Sequence, residues 1–328
     1  MSGAQQPVWV LLGQRAGDNN QLLRLADELG LPFRAIELRY NALHLVPPSL
    51  LGASFASLTA QSRQALHPPW PDLILGIGHR SVPAALAIRE KSGGRSRLVR
   101  LGNPRVDPRR FDMVITTPQY RVPDAPNVIR LEVGLNTATK VQPTREESEW
   151  LAKLPRPHRV VLIGGDTFMW TLRAAKVADA ARALKAKPGG STIAVSSART
   201  RKTVVGAVAE ALRGSDHFLV WGGFPRYSLL LADADEIYVT ADSVAMVSDA
   251  IATGKPLGLI EPDPTTAGRF FYGLAKLGTP LPIRDVRCFW RSVRTRGLAG
   301  TLDRPIAGTL RSDSLADCVG AIRRLLEL

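Results

Sequence analysis

The chain has 328 residues, which corresponds to about two domains of ordinary size. Hydrophobic residues make up 45% and charged residues 22%, so a disordered chain, a collagen-like chain and a small stapled module are all excluded. Lys and Arg number 43 against 29 Asp and Glu, and the difference of +14 draws the protein towards something anionic: nucleic acid, an anionic membrane surface or a phosphorylated small molecule.

The surplus is spread evenly. Residues 1–164 hold 21 basic and 13 acidic groups, and residues 165–328 hold 22 and 16. Dispersed charge with only 6% aromatic residues argues against nucleic acid. Cys288 and Cys318 lie outside any CxxC pattern and the five histidines show no ligand spacing, so no metal site is expected and a reducing compartment fits. No positive segment precedes the first apolar run, and no stretch reaches the roughly 18 apolar residues of a membrane span. A cytoplasmic protein is expected, with peripheral attachment to the inner face of the cytoplasmic membrane as an extension that the basic charge allows.

In chain order, residues 8–12 form a short, buried strand that runs into the turn GQRAG, and a helix follows over 20–29. Strand 33–38, helix 49–66, strand 72–77 and helix 82–90 continue the alternation, followed by strands 97–101, 112–116 and 128–131. Prolines 143, 155 and 157 in a polar stretch mark a boundary, which gives an N-terminal domain 1–150 and a C-terminal domain 151–328. Strands 160–163, 192–196, 218–220, 237–240 and 257–260 then alternate with helices 172–185, 202–212 and 243–252. Helices 284–296 and 315–326 close the chain, the last free to pack back on the first domain. Continuous apolar strands separated by helices predict an α/β fold of two Rossmann-like parallel sheets facing each other across a cleft.

Ligands of such sheets sit outside the carboxyl ends of the strands, so the loops there carry the candidates. In the first loop, Gly13 and Gly17 let backbone approach a phosphate, Arg15 supplies charge, and Asn20 and Gln21 add hydrogen-bonding groups that also serve as helix caps. His79 in GIGHRS is a candidate general base beside an arginine. Residues 89–110 hold eight basic groups, read as a solvated basic face with a membrane or a phosphate as the functional alternative. Ser196, Arg199 and Thr200 combine hydroxyls and cations between a strand and a helix. In the segment 240–256, Asp242 and Ser243 stand at a helix N-cap, and Asp249, nearly two turns on, is suited to accept hydrogen bonds from both hydroxyls of a ribose.

That last segment resembles the nucleotide-sugar region of GT-B glycosyltransferases. Taken in order, GQRAGDNNQ, PDLILGIGHRSVPAALAIR, RLGNPRVDPRRFDMVITTPQY, VLIGGD, SSART and ADEIYVTADSVAMVSDAIATGKP make the chain similar to the bacterial branch of the mitochondrial fission ELM1-like family, over about residues 7–280. The resemblance implies a GT-B-like fold with the acceptor on the N-terminal side and the donor nucleotide on the C-terminal side. It assigns Gly13, Gly17, Asp18, Asn20 and Gln21 to the acceptor or diphosphate, and Gly165, Ser196, Arg199, Thr200, Asp242, Ser243 and Asp249 to the donor. Asp18 stands where many relatives carry His, and Asp249 where the usual residue is Glu. Asp18 and His79 are the two candidate catalytic bases.

The first reading is thus a metal-independent glycosyltransferase that takes a nucleoside-diphosphate sugar, of the UDP type, as substrate and needs no cofactor. Its acceptor would be lipid-linked or a component of the cell envelope. The alternatives on the same fold are a non-catalytic, membrane-associated interaction protein and a nucleotide-sugar epimerase. The oligomeric state is left open.

Overall fold

In a computed structural model of the chain, the described residues are 7–14, 16–135, 141–214, 216–220, 223–277 and 284–328. They form two compact units, each built on a six-stranded parallel sheet. The described residues of 1–135, 282–285 and 312–328 make the first; those of 136–281 and 286–311 make the second.

The first unit begins with β1 (Val8–Leu12), α1 (Ala16–Leu29) and β2 (Phe33–Glu37). Two short helices, α2 (Pro48–Leu51) and α3 (Ala60–Gln64), precede β3 (Leu73–Ile77), α4 (Val82–Lys91), β4 (Arg97–Leu101), β5 (Met113–Thr116) and β6 (Val128–Arg130). The strands are ordered β2-β1-β3-β4-β5-β6, with Val10 registered between Ala35 and Leu75. The single helix expected over 49–66 is broken instead. Gly52, at φ 58°, ends α2 in a left-handed conformation that glycine adopts without penalty, and Thr59 starts α3 by accepting from the Ser62 N–H.

The second unit contains α5 (Arg145–Ala152), β7 (His158–Ile163), β8 (Trp170–Thr171), α6 (Ala174–Lys185), β9 (Ser191–Ser196), α7 (Lys202–Ala211) and β10 (His217–Val220). It continues with α8 (Tyr227–Asp233), β11 (Glu236–Thr240), α9 (Val244–Ala252), β12 (Leu257–Ile260), β13 (Asp263–Pro264), α10 (Thr266–Lys276), α11 (Val286–Thr295) and β14 (Gly300–Thr301). Its main sheet runs β10-β9-β7-β11-β12-β14, while β8 and β13 form a small antiparallel pair. The chain passes from one unit to the other at Leu135, ahead of α5, rather than near residue 150, because α5 belongs with the second sheet.

Both faces of each sheet are covered, so the central strands are apolar throughout: every residue of β1 and of β7 is buried. In the first unit, α1 packs with α12 (Ser314–Leu325), whose Leu315, Cys318 and Ile322 join Leu22, Leu25 and Leu29 in one core. Arg323 adds a hydrogen bond of 2.9 Å to the Leu29 carbonyl. A second core on the opposite face gathers Trp9, Leu11, Ile74, Val82 and Ile88. In the second unit, Val161, Ile163, Ala194 and Tyr238 meet Val177, Leu184 and Val208 of the covering helices.

Strand order sets where a ligand fits. In the first sheet the chain moves from β1 to β2 on one side and then to β3 on the other; in the second it moves from β7 to β9 and then back to β11. Connections therefore diverge outside the carboxyl ends of β1 and β3, and again outside those of β7 and β11, leaving a crevice at each. No helix among the described residues is long and apolar enough to cross a membrane.

Below β7 a buried ion pair ties the sheet to α8. His158, 2% exposed, faces Asp233 through Nδ1 at 2.5 Å and the Leu154 carbonyl through Nε2 at 3.2 Å. Two acceptors favour the imidazolium, and the Asp233 hydrogen bond raises the histidine above its ordinary 6.5. A raised folded-state value contributes stability that is complete below about pH 6.5 and lost as the pH climbs through the folded value. Thermal melts from pH 6 upward are expected to show a falling transition, by about 2–4 °C per kcal/mol lost, and His158→Gln should flatten that slope.

Candidate functional site

Three loops converge at the carboxyl edge of the second sheet: 164–167 after β7, 197–201 after β9 and 241–243 after β11. Their meeting depends on two glycines. A Cβ on Gly164 would lie 2.4 Å from the Asp242 carboxylate, and one on Gly165 would lie 2.2 Å from the Arg199 carbonyl oxygen, so no side chain fits at either position. Asp242 sits in the space this leaves, 3% exposed, accepting from the Gly165 N–H at 3.0 Å and the Thr240 hydroxyl at 2.8 Å. Burial pushes its carboxyl up, and the Gly165 N–H, Thr240 and Arg199 pull the other way. The Gly164 N–H donates to Thr240 at 2.8 Å. From the other side, the Thr200 and Ser197 hydroxyls donate to the Gly164 carbonyl at 2.6 and 3.1 Å.

These bonds redistribute the expected roles. Asp242 and Thr200 spend their polar atoms inside the protein and position the loops. The same holds for Ser196, 8% exposed, whose hydroxyl reaches the Val220 carbonyl on the next strand. Arg201 is tied to Asp166 at 3.0 Å and to the Leu172 carbonyl at 2.6 Å. Arg199 differs: its side chain is 51% exposed and meets Asp242 through Nη2, at 3.4 Å. Ser243 caps α9, accepting from the Met246 N–H at 3.5 Å, and the positive end of that helix lies at the same edge.

Asp249, half-buried on α9, accepts a hydrogen bond of 3.0 Å from the Tyr227 hydroxyl. Burial raises the Tyr227 phenol, with the Asp249 charge adding to it, so the phenol stays a donor. Tyr227 opens α8, and its neighbour Arg226 is held by Glu147 of α5 through Nε at 2.8 Å and Nη2 at 2.6 Å. The Arg226 guanidinium holds the Glu147 carboxyl well below the usual range. A second buried support comes from α11. Trp290 donates from Nε1 to the Ala241 carbonyl at 2.7 Å and packs against Trp170, with ring centroids 4.8 Å apart and the planes tilted by 56°. Tyr227 and Trp290 are the site-supporting residues that sequence reasoning missed. The short run YSLLLAD after a proline was the signal for the first, and an indole within an arginine-rich helix the signal for the second.

In the first unit, the Asn19 side chain brackets Gly13, accepting from its N–H at 2.8 Å and donating to its carbonyl at 3.0 Å. Gln21 bonds the Gly17 carbonyl at 3.4 Å and the Leu135 N–H at 3.3 Å, so it serves the local fold. Asn20 is exposed and Asp18 half-buried in the first turn of α1. Across the crevice between β1 and β3, Arg80 donates to Gln14 at 3.2 Å, which brings the loop of Asp18 beside that of His79. Arg15 lies outside the described residues. No group of three or more His, Cys, Asp or Glu able to hold a metal occurs among the described residues.

The basic stretch 89–110 is not one solvated face. Arg89 and Arg97 pair with Asp112, and Arg100 is 1% exposed. Arg105 and Arg109 alone among its arginines turn to the concavity described below.

Two parallel α/β units with their crevices at the carboxyl edges define the GT-B class of fold, the architecture of glycosyltransferases and nucleotide-sugar epimerases. A glycosyltransferase from Rickettsia africae aligns at a TM-score of 0.52 and 12% identity, over 99% of this chain and 100% of that one. A UDP-GlcNAc 2-epimerase from Neisseria meningitidis bound to UDP-GlcNAc aligns at 0.53 and 13%, over 98% and 99%. Within that class the chain belongs to the mitochondrial fission ELM1 family, whose model matches residues 16–293. The mitochondrial fission protein ELM1 of Arabidopsis thaliana is 26% identical over 245 residues, which cover 66% of this chain and 57% of that protein.

Gly165→Ala should force the Arg199 backbone aside and lower the melting temperature by an amount equivalent to about 1–3 kcal/mol. Gly206→Ala, in α7 with nothing within 4 Å of the added carbon, should instead stabilise by about 0.5–1 kcal/mol. Paired thermal melts of the two variants check both.

Proposed function

We propose that the protein binds a nucleoside-diphosphate sugar of the UDP type at the carboxyl edge of the second sheet and transfers its glycosyl group to an acceptor hydroxyl. The supporting observation is the crevice outside β7 and β11. There, two side-chain-free positions, the half-exposed Arg199 and the N-terminus of α9 meet, with Asp249 farther along the same helix. The diphosphate would lie against Arg199 and the α9 terminus, and Asp249, held by Tyr227, would accept from the ribose hydroxyls.

In the transfer, the acceptor oxygen bonds to the anomeric carbon as the bond from that carbon to the diphosphate breaks. The proton lost by the acceptor passes to a general base, for which Asp18 and His79 are the candidates, and the charge gathering on the leaving diphosphate is met by Arg199 and the helix dipole. No metal is required, and the acceptor would be lipid-linked or an envelope component. A second reading, a non-catalytic interaction protein at a membrane surface, draws on Phe168 and Phe270, which are 67% and 63% exposed.

Calorimetric titration with UDP is expected to show binding that weakens about tenfold or more in Arg199→Ala and in Asp249→Ala. Asp18→Asn and His79→Gln should leave that binding intact, and the one that abolishes turnover identifies the base. Absence of UDP binding, or binding indifferent to Asp249, would sink the proposal. Salt-sensitive vesicle binding without UDP binding would favour the second reading, and isomerisation of a free UDP-sugar without acceptor would favour an epimerase.

A further inference from the structure

A concavity of about 790 Å³ opens within the first unit. It is lined entirely by segments that follow β2, β3, β4 and β5, at the same carboxyl edge as the loops of Asp18 and His79. Its size is that of a small-ligand site. Leu45, Val46, Pro48, Val106 and Pro108 supply apolar wall, while Arg105, Arg109 and Arg121 supply charge, with His44 and His79 between them.

The charge is only partly offset by the acids of the lining. Of the two acids in the lining, Asp107 accepts from the Arg109 backbone N–H at 2.9 Å and Asp124 is paired with Arg130 at 2.6 Å. None of the three lining arginines forms an ion pair among the described residues. Arg105 holds a left-handed conformation, φ 57°, that costs a residue with a Cβ and is maintained by the Asn103 side chain, which accepts from the Arg105 N–H at 2.8 Å. His44 gives its Nδ1 to the Asn41 carbonyl at 2.6 Å, so Nδ1 carries the hydrogen and Nε2 is left for another partner.

A further positive group stands behind the wall. Arg100 is buried with no carboxylate partner among the described residues and donates to the Ile77 carbonyl at 2.9 Å and the Ser81 hydroxyl at 3.0 Å, the two ends of the turn that carries His79. Burial lowers this guanidinium to about 9, still charged at neutral pH, and its Nε and Nη1 have no hydrogen-bond partner among the described residues. Leu45, in the lining, is 78% exposed, and Leu50, five residues on, is 77% exposed.

We propose that this concavity binds an amphiphile bearing a phosphate group, with the phosphate on Arg105, Arg109 and Arg121 and the hydrocarbon against Leu45, Val46 and Val106. Free arginines select the doubly charged, multiply accepting head, and the apolar wall and exposed leucines select the tail. The proposal stands on the first unit alone and is independent of nucleotide binding in the second.

The test is calorimetry of the whole chain with octyl phosphate below its micelle concentration, beside inorganic phosphate and octyl glucoside. Octyl phosphate is expected to bind at least tenfold more tightly than inorganic phosphate, and octyl glucoside not to compete with it. Arg109→Gln and Arg121→Gln should each weaken octyl phosphate about tenfold. Leu45→Asn should weaken octyl phosphate and leave inorganic phosphate unchanged. Each variant should melt like the parent and keep the parent's UDP titration, which separates this proposal from the preceding one. Flotation with vesicles containing phosphatidate, lost in the arginine variants, would identify a lipid headgroup as the source, and binding of octyl phosphate without flotation would identify a soluble amphiphile. Failure of octyl phosphate to bind, equal affinity for inorganic phosphate, or indifference to both arginine substitutions would overturn it.

Discussion

Everything at the carboxyl edge of the second sheet depends on how closely Gly164 and Gly165 let other groups approach β7. A buried carboxylate from one neighbouring loop and a backbone carbonyl from the other occupy the places where side chains would stand. Asp242 is thereby taken out of water, which is costly for a carboxylate, and the cost is offset by a backbone donor, a hydroxyl and one edge of the Arg199 guanidinium. The same arrangement leaves the rest of Arg199 outside. A locked interior and an outward cation are two results of a single steric allowance.

Support for this edge is assembled from distant parts of the chain. Trp290 reaches the Ala241 carbonyl from α11, and Glu147 of α5 fixes Arg226 beside Tyr227, which in turn meets Asp249. Each link is a buried or half-buried hydrogen bond, so each is worth more when complete than the sum of its separate parts. The geometry of this edge thus rests on side chains drawn from α5, α8 and α11.

The alternation of buried strands with helices was legible because strands covered on both faces must be apolar along their whole length, as in VWVLL and HRVVLI. The GT-B-like pairing of two such sheets followed from the resemblance of several ordered motifs rather than from any one of them. Less legible was what each polar residue does with its hydrogen bonds. Asp242, Thr200 and Ser196 have the residue types of a ligand shell, yet spend their atoms on neighbouring backbone, which depends on contacts 20 to 80 residues away. Tyr227 was not singled out because α8 is seven residues long, too short to show a helical period, so that only the run YSLLLAD hints at it. Residues 49–66 misled in the opposite direction, since their helical composition is overruled by a left-handed glycine at 52. The basic run 89–110 reads as uniform in sequence but divides, in three dimensions, into arginines that are paired, buried or free.

The placement of α12 has a consequence for how the protein is made. Leu22, Leu25 and Leu29 of α1 lie against Leu315, Cys318 and Ile322, nearly three hundred residues later in synthesis. Without α12 the first unit displays an uncovered hydrophobic surface along α1, although all of its strands lie in the first half of the chain. Completion of the first unit's core therefore waits for residues 315–322, while the second unit draws every strand and helix from the stretch between.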